Sequence, residues 1–333
     1  MLPKIQTKSL KKAVFDKDQK APVIRLLNRV MIQTGFFYLS DPGISPQLIS
    51  SIQKELHRFF AMDNSYKQQI RMEKYGRQWR GFFSLGHELT AGVPDQKEGL
   101  YLGPEFPSTH PEVKKRTPTF GDNPWPRSGE FDKLRVMIRE YVGELQALGD
   151  TLIDAISMSL NLPPRYLRDH YASPPTILLR AFHYPPARPG FGVAKHTDMG
   201  FITLLHQDEN GGLEVLNREG NWTNVKPITN TFIINIGDML EYVSHGLLRA
   251  TPHRVTNKSQ NSRLSIPFFY DPNWYCRLQP VPKELLPIGQ ITSFTEKRWD
   301  GINLHSPSWQ GKTYGEFVWE KIKTVFPSLS KEP

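Results

Sequence analysis

Apolar residues in the first half of the chain recur at helical spacing. The pattern predicts a helix from residue 22 that ends at Thr34-Gly35, followed by a short strand over 36–39. A second helix starts at Ser45-Pro46, because serine is a good N-cap and proline fits the first helical turn. A long amphipathic helix is predicted over 131–160, and another over 314–326. Each is expected to pack one face on a core.

The pattern changes after Pro175 to short β-rich runs separated by Gly, Pro and Asn. Such closely spaced strands are typical of a sandwich or barrel of the jelly-roll type. Residues 75–126 show no sustained period and are predicted to be irregular, which in compact proteins often indicates function. The predicted strands cover residues 176–184, 201–206, 212–216, 222–225, 231–236, 253–256 and 264–270.

Four regions follow from these patterns. Residues 1–20 are expected to form a loose basic tail, and residues 21–171 a helical and irregular region packed on the core. The β core is placed at 172–280, and a C-terminal segment with its helix at 281–333.

Charge and composition exclude several classes of protein. The 42 basic and 33 acidic residues give a net charge of +9, but the first twenty residues contribute much of it and no nucleic-acid-binding signature accompanies it. No apolar run is long enough for a membrane span, and no secretory signal is evident. The single Cys276 permits neither an internal disulfide nor a thiolate cluster. We therefore expect a cytoplasmic protein that binds neither membranes nor nucleic acid, with any metal held by histidines and carboxylates.

The candidate chemistry begins at His196-Thr197-Asp198. In an extended chain residues i and i+2 share a face, so this imidazole and carboxylate can converge on one ion. A second element is residues 251–255, predicted to turn at 257–261 and return as an antiparallel strand. That hairpin places Arg263 nearly opposite His253, with Ser265 on the same face. A guanidinium is a natural receptor for a carboxylate.

Two histidines and one carboxylate leave open positions on an octahedral ion, which favours non-haem Fe(II) and oxygen chemistry. Zinc in a hydrolase is the competing interpretation. A zinc hydrolase usually adds a general base such as the Glu of H-E-x-x-H, and that motif is absent from the sequence. Four other histidines are expected to be hydrogen-bonded or at the surface and not ligands: His87, His183, His206 and His245.

Several runs together resemble the 2-oxoglutarate- and iron-dependent dioxygenases of the isopenicillin-N-synthase-like family. In the β half these are residues 182–186 (FHYPP), 196–198 (HTD), 203–208 (TLLHQD), 211–215 (GGLEV), 235–238 (NIGD), 253–255 (HRV) and 263–265 (RLS). In the first half they are 34–37 (TGFF), 59–60 (FF), 80–82 (RGF) and 95–98 (DQKE). Two departures are Phe182-His183, where members often have Asn-Tyr, and His245, which replaces an Asn.

The resemblance implies a mainly β fold, a distorted double-stranded β-helix (jelly roll) core flanked by N-terminal helices and a C-terminal helix. It also implies that His196, Asp198 and His253 bind Fe(II). Arg263 and Ser265, with Tyr184 as an added donor, would bind the far carboxylate of the 2-oxoglutarate co-substrate. The implied reaction uses O2 to hydroxylate, desaturate or cyclise a small organic molecule, with release of succinate and CO2.

Two other functions stay open at this point: an iron oxidase of the same fold that uses no 2-oxoglutarate, and an inactive jelly-roll binding module. The substrate is expected to be a small molecule enclosed between the 75–106 stretch and residues 273–309. Neither the substrate nor the oligomeric state follows from the sequence. The expected substrate contacts are Arg80, Phe82, Tyr101, Phe201 and Phe268. Trp79 is expected to help form the roof of the pocket, and Arg80 and Lys97 are candidate anchors if the substrate carries a carboxylate.

Overall fold

A computed structural model describes residues 2–127, 129–186, 190–256, 259–286 and 311–331. Part of the predicted turn at 257–261 lies outside the described residues, as does most of the segment predicted to enclose the substrate from the C-terminal side. None of the helices in the described ranges is long and apolar enough to cross a membrane.

The helices begin and end close to the predicted positions. Ser45 caps its helix, since its Oγ accepts a hydrogen bond from the Leu48 backbone N–H at 3.3 Å. Thr313 and Glu316 form a reciprocal capping box at the start of the last helix. The helices are α1 (Thr7–Phe15), α2 (Pro22–Gln33), α3 (Pro46–Phe60), α4 (Asn64–Lys67), α5 (Pro111–Lys114), α6 (Asp132–Ser159), α7 (Tyr166–Tyr171), α8 (Asp238–Val243) and α9 (Tyr314–Val325).

Fourteen strands are described, and twelve of them form two facing sheets. The strands are β1 (Lys4–Gln6), β2 (Phe36–Ser40), β3 (Gly81–Phe83), β4 (Leu89–Thr90), β5 (Val93–Pro94), β6 (Glu98–Leu102), β7 (Thr176–Tyr184), β8 (Val193–His196), β9 (Ile202–Gln207), β10 (Leu213–Leu216), β11 (Trp222–Asn224), β12 (Thr231–Ile236), β13 (His253–Val255) and β14 (Arg263–Asp271). The large sheet has the order β1-β2-β12-β9-β14-β7-β6-β3, and the small sheet β11-β10-β13-β8. This two-sheet core flanked by helices confirms the predicted jelly roll.

Helix α6 covers the outer face of the large sheet. Gly149 of this helix lies against Tyr270 of β14, so close that a Cβ at position 149 would come within 2.4 Å of the ring. The Tyr270 hydroxyl donates a hydrogen bond to Asp150 at 2.6 Å. Residues of β14 alternate between faces, so Tyr270 and Phe268 face α6 while Phe269 and Asp271 face the space between the sheets.

Two predictions about the first half are wrong. Residues 4–15 are not a loose tail: β1 pairs in parallel with β2, and the apolar side chains of Ile5, Leu10 and Ala13 are buried in the core. The 75–126 stretch is not wholly irregular, because β6 pairs with β7 and thereby adds β6 and β3 to the large sheet.

The predicted hairpin of residues 251–266 is also wrong. Strand β13 pairs with β8 and β10 in the small sheet, whereas β14 pairs with β7 and β9 in the large one. His253 and Arg263 therefore belong to opposite walls of the sandwich and are not neighbours across one turn. Each strand buries more apolar surface in its own sheet of the sandwich than it would in a local hairpin, and this burial outweighs the local preference for the hairpin.

Candidate active site

Three potential metal ligands converge at the end of the small sheet. His196 ends β8 and lies directly opposite His253 of β13, and Asp198 follows two residues later. One ligand atom from each residue lies within 4.8 Å of those of the other two. The Nε2 atoms of His196 and His253 are 3.8 Å and 3.7 Å from Oδ1 of Asp198.

Hydrogen bonds from neighbouring groups orient all three side chains. Nδ1 of His196 is 2.8 Å from the Ala194 carbonyl, and Nδ1 of His253 is 3.1 Å from that of Thr251. A carbonyl can only accept, so each Nδ1 carries the proton and each Nε2 presents a lone pair. Oδ2 of Asp198 accepts from Thr203 Oγ1 at 2.5 Å and from Asn235 Nδ2 at 2.6 Å, which directs Oδ1 towards the two imidazoles.

The local electrostatics favour the protonation states that a metal requires. Burial, reinforced by the neighbouring His196, lowers the pKa of His253 to about 4, against the opposing effect of Asp198. Burial likewise lowers the pKa of His196. Burial alone would raise the pKa of Asp198, but the two imidazoles and the hydrogen bonds from Thr203 and Asn235 lower it overall. At neutral pH the cluster is thus two neutral imidazoles and one carboxylate, a donor set that fits Fe(II).

A buried guanidinium on the opposite wall lacks hydrogen-bond acceptors. Arg263 is 1% exposed, and among the described residues its Nε and Nη1 have no hydrogen-bond partner, while Nη2 is 3.4 Å from Oε1 of Gln207. Its Cζ lies 4.7 Å from the centre of the Tyr184 ring. Ser265, two residues along β14, is on the same inner face and is also buried. A charged group with unused donors in a cavity wall is suited to an anionic ligand.

The metal-ligand triad and Arg263 share one cavity of about 570 Å³, a size suited to small ligands. The small sheet contributes His196 and His253, and Asp198 follows two residues after β8. The inner faces of β7 and β14 contribute Arg263, Ser265 and Tyr184. The β4–β5 hairpin (Leu89–Thr90 and Val93–Pro94) and α9 complete the wall; Leu89, Thr90, Lys321, Thr324 and Val325 line it.

Most of the predicted substrate contacts do not line the cavity. Tyr101 lines the cavity, as do Trp79 and Lys97, but Arg80, Phe82, Phe201 and Phe268 are not among the described residues that do. The three phenylalanines are 0% exposed and pack in the apolar core, and Phe268 faces α6. We therefore correct these four assignments: they are core residues.

Arg80 is held as a structural group. Its Nη1 donates to the Gly121 carbonyl at 2.7 Å and to Oδ1 of Asn123 at 3.1 Å, and its Nη2 donates to the Thr119 carbonyl at 2.7 Å. These acceptors fix the 119–123 loop against the sheet. Lys97 lines the cavity, but its Nζ pairs with Glu88 at 2.7 Å and also with Asp95.

Several residues that line the cavity were not predicted from the sequence, notably Glu88, Arg180, Phe269 and Asp271. A signal was available for two of them, because Phe269 and Asp271 alternate with Arg263 and Ser265 along β14 and so share their face. The four histidines expected not to be ligands lie outside the metal-ligand triad. For example, Nδ1 of His183 is 2.9 Å from Oε1 of Glu98 on the outer face of β7, whereas the neighbouring Phe182 lines the cavity.

Comparison with known proteins agrees with this geometry. Residues 175–272 match the model of the 2OG-Fe(II) oxygenase superfamily, and residues 2–128 match that of the non-haem dioxygenase in morphine synthesis N-terminal region. A probable iron/ascorbate oxidoreductase of Dictyostelium discoideum is 39% identical over 89% of this chain and 86% of its own. A 2-oxoglutarate-dependent dioxygenase of Monascus ruber is 34% identical over 80% of this chain and 84% of its own.

Among solved structures, a full-length Neurospora crassa protein in complex with alpha-KG and thymine has a TM-score of 0.76 at 21% identity, covering 98% of this chain and 97% of that one. At that identity the likeness supports the fold alone. Taken together, the family matches and the relatives show that the chain belongs to the 2-oxoglutarate- and Fe(II)-dependent oxygenases of the isopenicillin-N-synthase-like superfamily. It is accordingly an oxidoreductase of the 2-oxoglutarate-dependent dioxygenase type, with Fe(II), 2-oxoglutarate and O2 as its cofactor and co-substrates.

Proposed function

We propose that this enzyme oxidises a small organic molecule by hydroxylation, desaturation or cyclisation, and that each turnover converts 2-oxoglutarate to succinate and CO2. His196, Asp198 and His253 hold the iron, and Arg263, Ser265 and Tyr184 bind the far carboxylate of 2-oxoglutarate. One observation carries the assignment: the buried guanidinium of Arg263, with two unpaired nitrogens, lines the same cavity as the metal-ligand triad.

The chain's own contribution is to position its ligands. Nδ1 bonds to the Ala194 and Thr251 carbonyls fix the two imidazoles, and Asn235 and Thr203 fix Asp198, so that three donors point to one place. Fe(II) bound there supplies the redox chemistry by which O2 oxidises both 2-oxoglutarate and the substrate. Because such chemistry discriminates little between C–H bonds, the product depends on which carbon the cavity wall holds nearest the metal.

The cavity also supports a small substrate and not a protein or a polynucleotide. Its wall combines apolar side chains such as Phe36, Leu178, Phe182 and Phe269 with a few buried polar groups, which is typical of small-ligand sites. The β4–β5 hairpin and α9 narrow the space available to a large partner.

The test is succinate production. The protein is loaded anaerobically with Fe(II) and 2-oxoglutarate, exposed to O2, and screened against a metabolite library for succinate release above the rate without substrate. We expect one or more small molecules to increase succinate release with stoichiometric oxidation of that molecule. Oxidation without succinate would instead support an oxidase that uses no 2-oxoglutarate. Coupled turnover of a folded protein or an oligonucleotide, included in the library as competitors, would contradict the small-substrate proposal.

A further inference from the structure

A second buried arginine lies in the wall of the active-site cavity. Arg180 is near the middle of β7, on the same inner face as Phe182 and Tyr184, and is 2% exposed. Tyr184 pairs directly with Arg263 across the β7–β14 ladder. Arg180 is four positions before Tyr184 on β7, so its Cα lies about 13 Å along the strand from that of Tyr184, beside the proposed 2-oxoglutarate carboxylate site. The two guanidinium groups occupy different parts of one cavity.

Arg180 forms no close ion pair among the described residues. Among the described residues no carboxylate forms an ion pair with its guanidinium, although Glu88 and Asp271 act on it electrostatically from a greater distance, and its Nη2 has no hydrogen-bond partner. Nη1 donates two long hydrogen bonds, 3.3 Å to the Leu102 carbonyl and 3.2 Å to that of Leu179, and the Tyr101 side chain also interacts with the guanidinium. Burial lowers the pKa of Arg180 to about 10, against the opposing effects of Tyr101, Glu88 and Asp271, so the group is still a cation at neutral pH. An unpaired buried cation is costly unless a ligand completes it.

Two comparisons within this chain show that such an arrangement is not a general property of its buried cations. Arg80 is as deeply buried, yet three oxygen acceptors at 2.7 to 3.1 Å bond both its terminal nitrogens. Lys97, a neighbouring cation in the cavity wall, is paired with Glu88 and Asp95. Arg180, with one nitrogen that has no hydrogen-bond partner among the described residues, instead resembles Arg263, which has two.

Aromatic rings hold the Arg180 guanidinium in place. Its Cζ lies 3.6 Å from the centre of the Tyr101 ring and 4.3 Å from that of Trp79. Both rings line the cavity, and the Tyr101 hydroxyl is itself committed to Glu88. Nε1 of Trp79 is a further buried donor without a partner among the described residues. The same wall thus offers unused donors from two side chains, which calls for an acceptor-rich, anionic group.

We propose that Arg180, supported by Trp79 and Tyr101, binds a carboxylate of the substrate, and that the enzyme's substrate class is small carboxylic acids. This inference rests on the proposed function, because it requires that 2-oxoglutarate occupy the Arg263 end of the cavity. The substrate carboxylate binds at Nη2 of Arg180, and the remainder of the molecule extends towards the metal-ligand triad on the opposite sheet.

The first measurement uses the wild-type protein, loaded anaerobically with Fe(II) and saturating 2-oxoglutarate so that the Arg263 end is filled. Binding is measured by calorimetry for a panel of alkyl and aryl monocarboxylic acids, each paired with its own primary amide. The amide keeps the shape and removes the charge. We expect acids to bind and their amides to bind at least about 30-fold more weakly, the factor that corresponds to ~2 kcal/mol for leaving one partner of a buried charge pair.

The second measurement compares variants. Arg180→Gln should weaken acid binding by about 30-fold or more and abolish the preference for acid over amide. Trp79→Phe keeps the ring and removes one donor, so the preference should persist with a smaller loss of affinity. Arg139→Gln makes the same chemical change at an exposed position on α6 and should leave acid binding unaltered. If Arg180→Gln fails to fold, the wild-type acid and amide pairs together with Trp79→Phe still decide the matter.

The outcomes separate this inference from the proposed function. Failure of 2-oxoglutarate itself to bind the wild-type iron-loaded protein would refute the proposed function. With 2-oxoglutarate bound, three results would each overturn the Arg180 inference: amides that bind as tightly as their acids, a panel in which no acid binds, or an acid preference that survives in Arg180→Gln.

Discussion

Replacing Arg263 with leucine tests the co-substrate site directly. The side chain is 1% exposed, two of its three nitrogens have no partner among the described residues, and Gln207 approaches the third at only 3.4 Å. Almost all of its bonding capacity is therefore available to the ligand. Removing one member of a buried, hydrogen-bonded charge pair costs roughly 2 to 5 kcal/mol, which corresponds to a loss of about 30-fold to several-thousand-fold in 2-oxoglutarate affinity.

The assay measures the KM for 2-oxoglutarate by succinate release and, separately, Fe(II) binding under anaerobic conditions. Arg263→Leu should raise this KM with little change in iron affinity, because the metal-ligand triad lies on the opposite sheet. Arg263→Lys, which keeps the charge but not the planar fork, should fall between wild type and leucine. Arg165→Leu, at the exposed N-cap position before α7, is the matched control. A KM for Arg263→Leu within about twofold of wild type would refute the assignment and indicate that Arg263 binds some other carboxylate.

Three further predictions concern the metal, the pH dependence of stability and a structural arginine. Asp198→Ala removes the anionic ligand and should weaken Fe(II) binding by at least about tenfold in anaerobic calorimetry. Asn235→Ala removes only a hydrogen bond to Asp198 and should weaken Fe(II) binding less. Equal iron affinity in wild type and Asp198→Ala would exclude Asp198 as a ligand. Burial raises the pKa of Asp271 to about 7 from an ordinary value of 3.8. Between these pH values the folded state keeps a proton that the unfolded state loses. The contribution of Asp271 to the free energy of unfolding therefore falls as pH rises from about 4 to 7, by up to ~4 kcal/mol. Asp271→Asn should remove that slope in denaturant titrations of the metal-free protein, and an unchanged slope would contradict the shift. Arg80→Met leaves buried carbonyl acceptors unpaired and should lower the free energy of unfolding by ~2 to 4 kcal/mol. The enzyme's preference for acids over amides should stay intact. Loss of that preference with an unchanged free energy of unfolding would show that Arg80 contacts the substrate.

Elements whose signals are local were well predicted from the sequence. The N-cap at Ser45 and the Gly35 that follows α2 mark helix ends within the sequence itself. Strands β7 and β12 have the predicted bounds, since Gly, Pro or Asn interrupts the chain at each of their ends. These features depend on residues only a few positions apart.

Strand pairing could not be predicted in the same way, because it depends on residues far apart in the chain. The residues of β13 and β14 satisfy the sequence rules for a hairpin, yet the two strands do not pair with each other. Strand β13 pairs with β8, and β14 pairs with β7. The convergence of His196, Asp198 and His253 was expected from the family resemblance, and the structure adds how it arises: β8 and β13 pair so that the two histidines are direct neighbours.

The role of an arginine inside this protein depends on the acceptors around it, which a single sequence does not reveal. Strand β7 is buried along most of both faces, so its sequence, TILLRAFHY, lacks the alternation of polar and apolar residues that would show which side of Arg180 faces the cavity. The sequence instead indicates Arg80 and Lys97, in the stretch from residue 75 to 106, as anchors for a substrate carboxylate. In the folded chain the carbonyls of Thr119 and Gly121 enclose Arg80, whereas the space beside Arg180 is the cavity itself. Two equally buried arginines thus differ in the oxygen atoms within hydrogen-bonding distance: three acceptors make Arg80 a structural group, whereas the nitrogen of Arg180 without a partner among the described residues is the basis for the proposed carboxylate site.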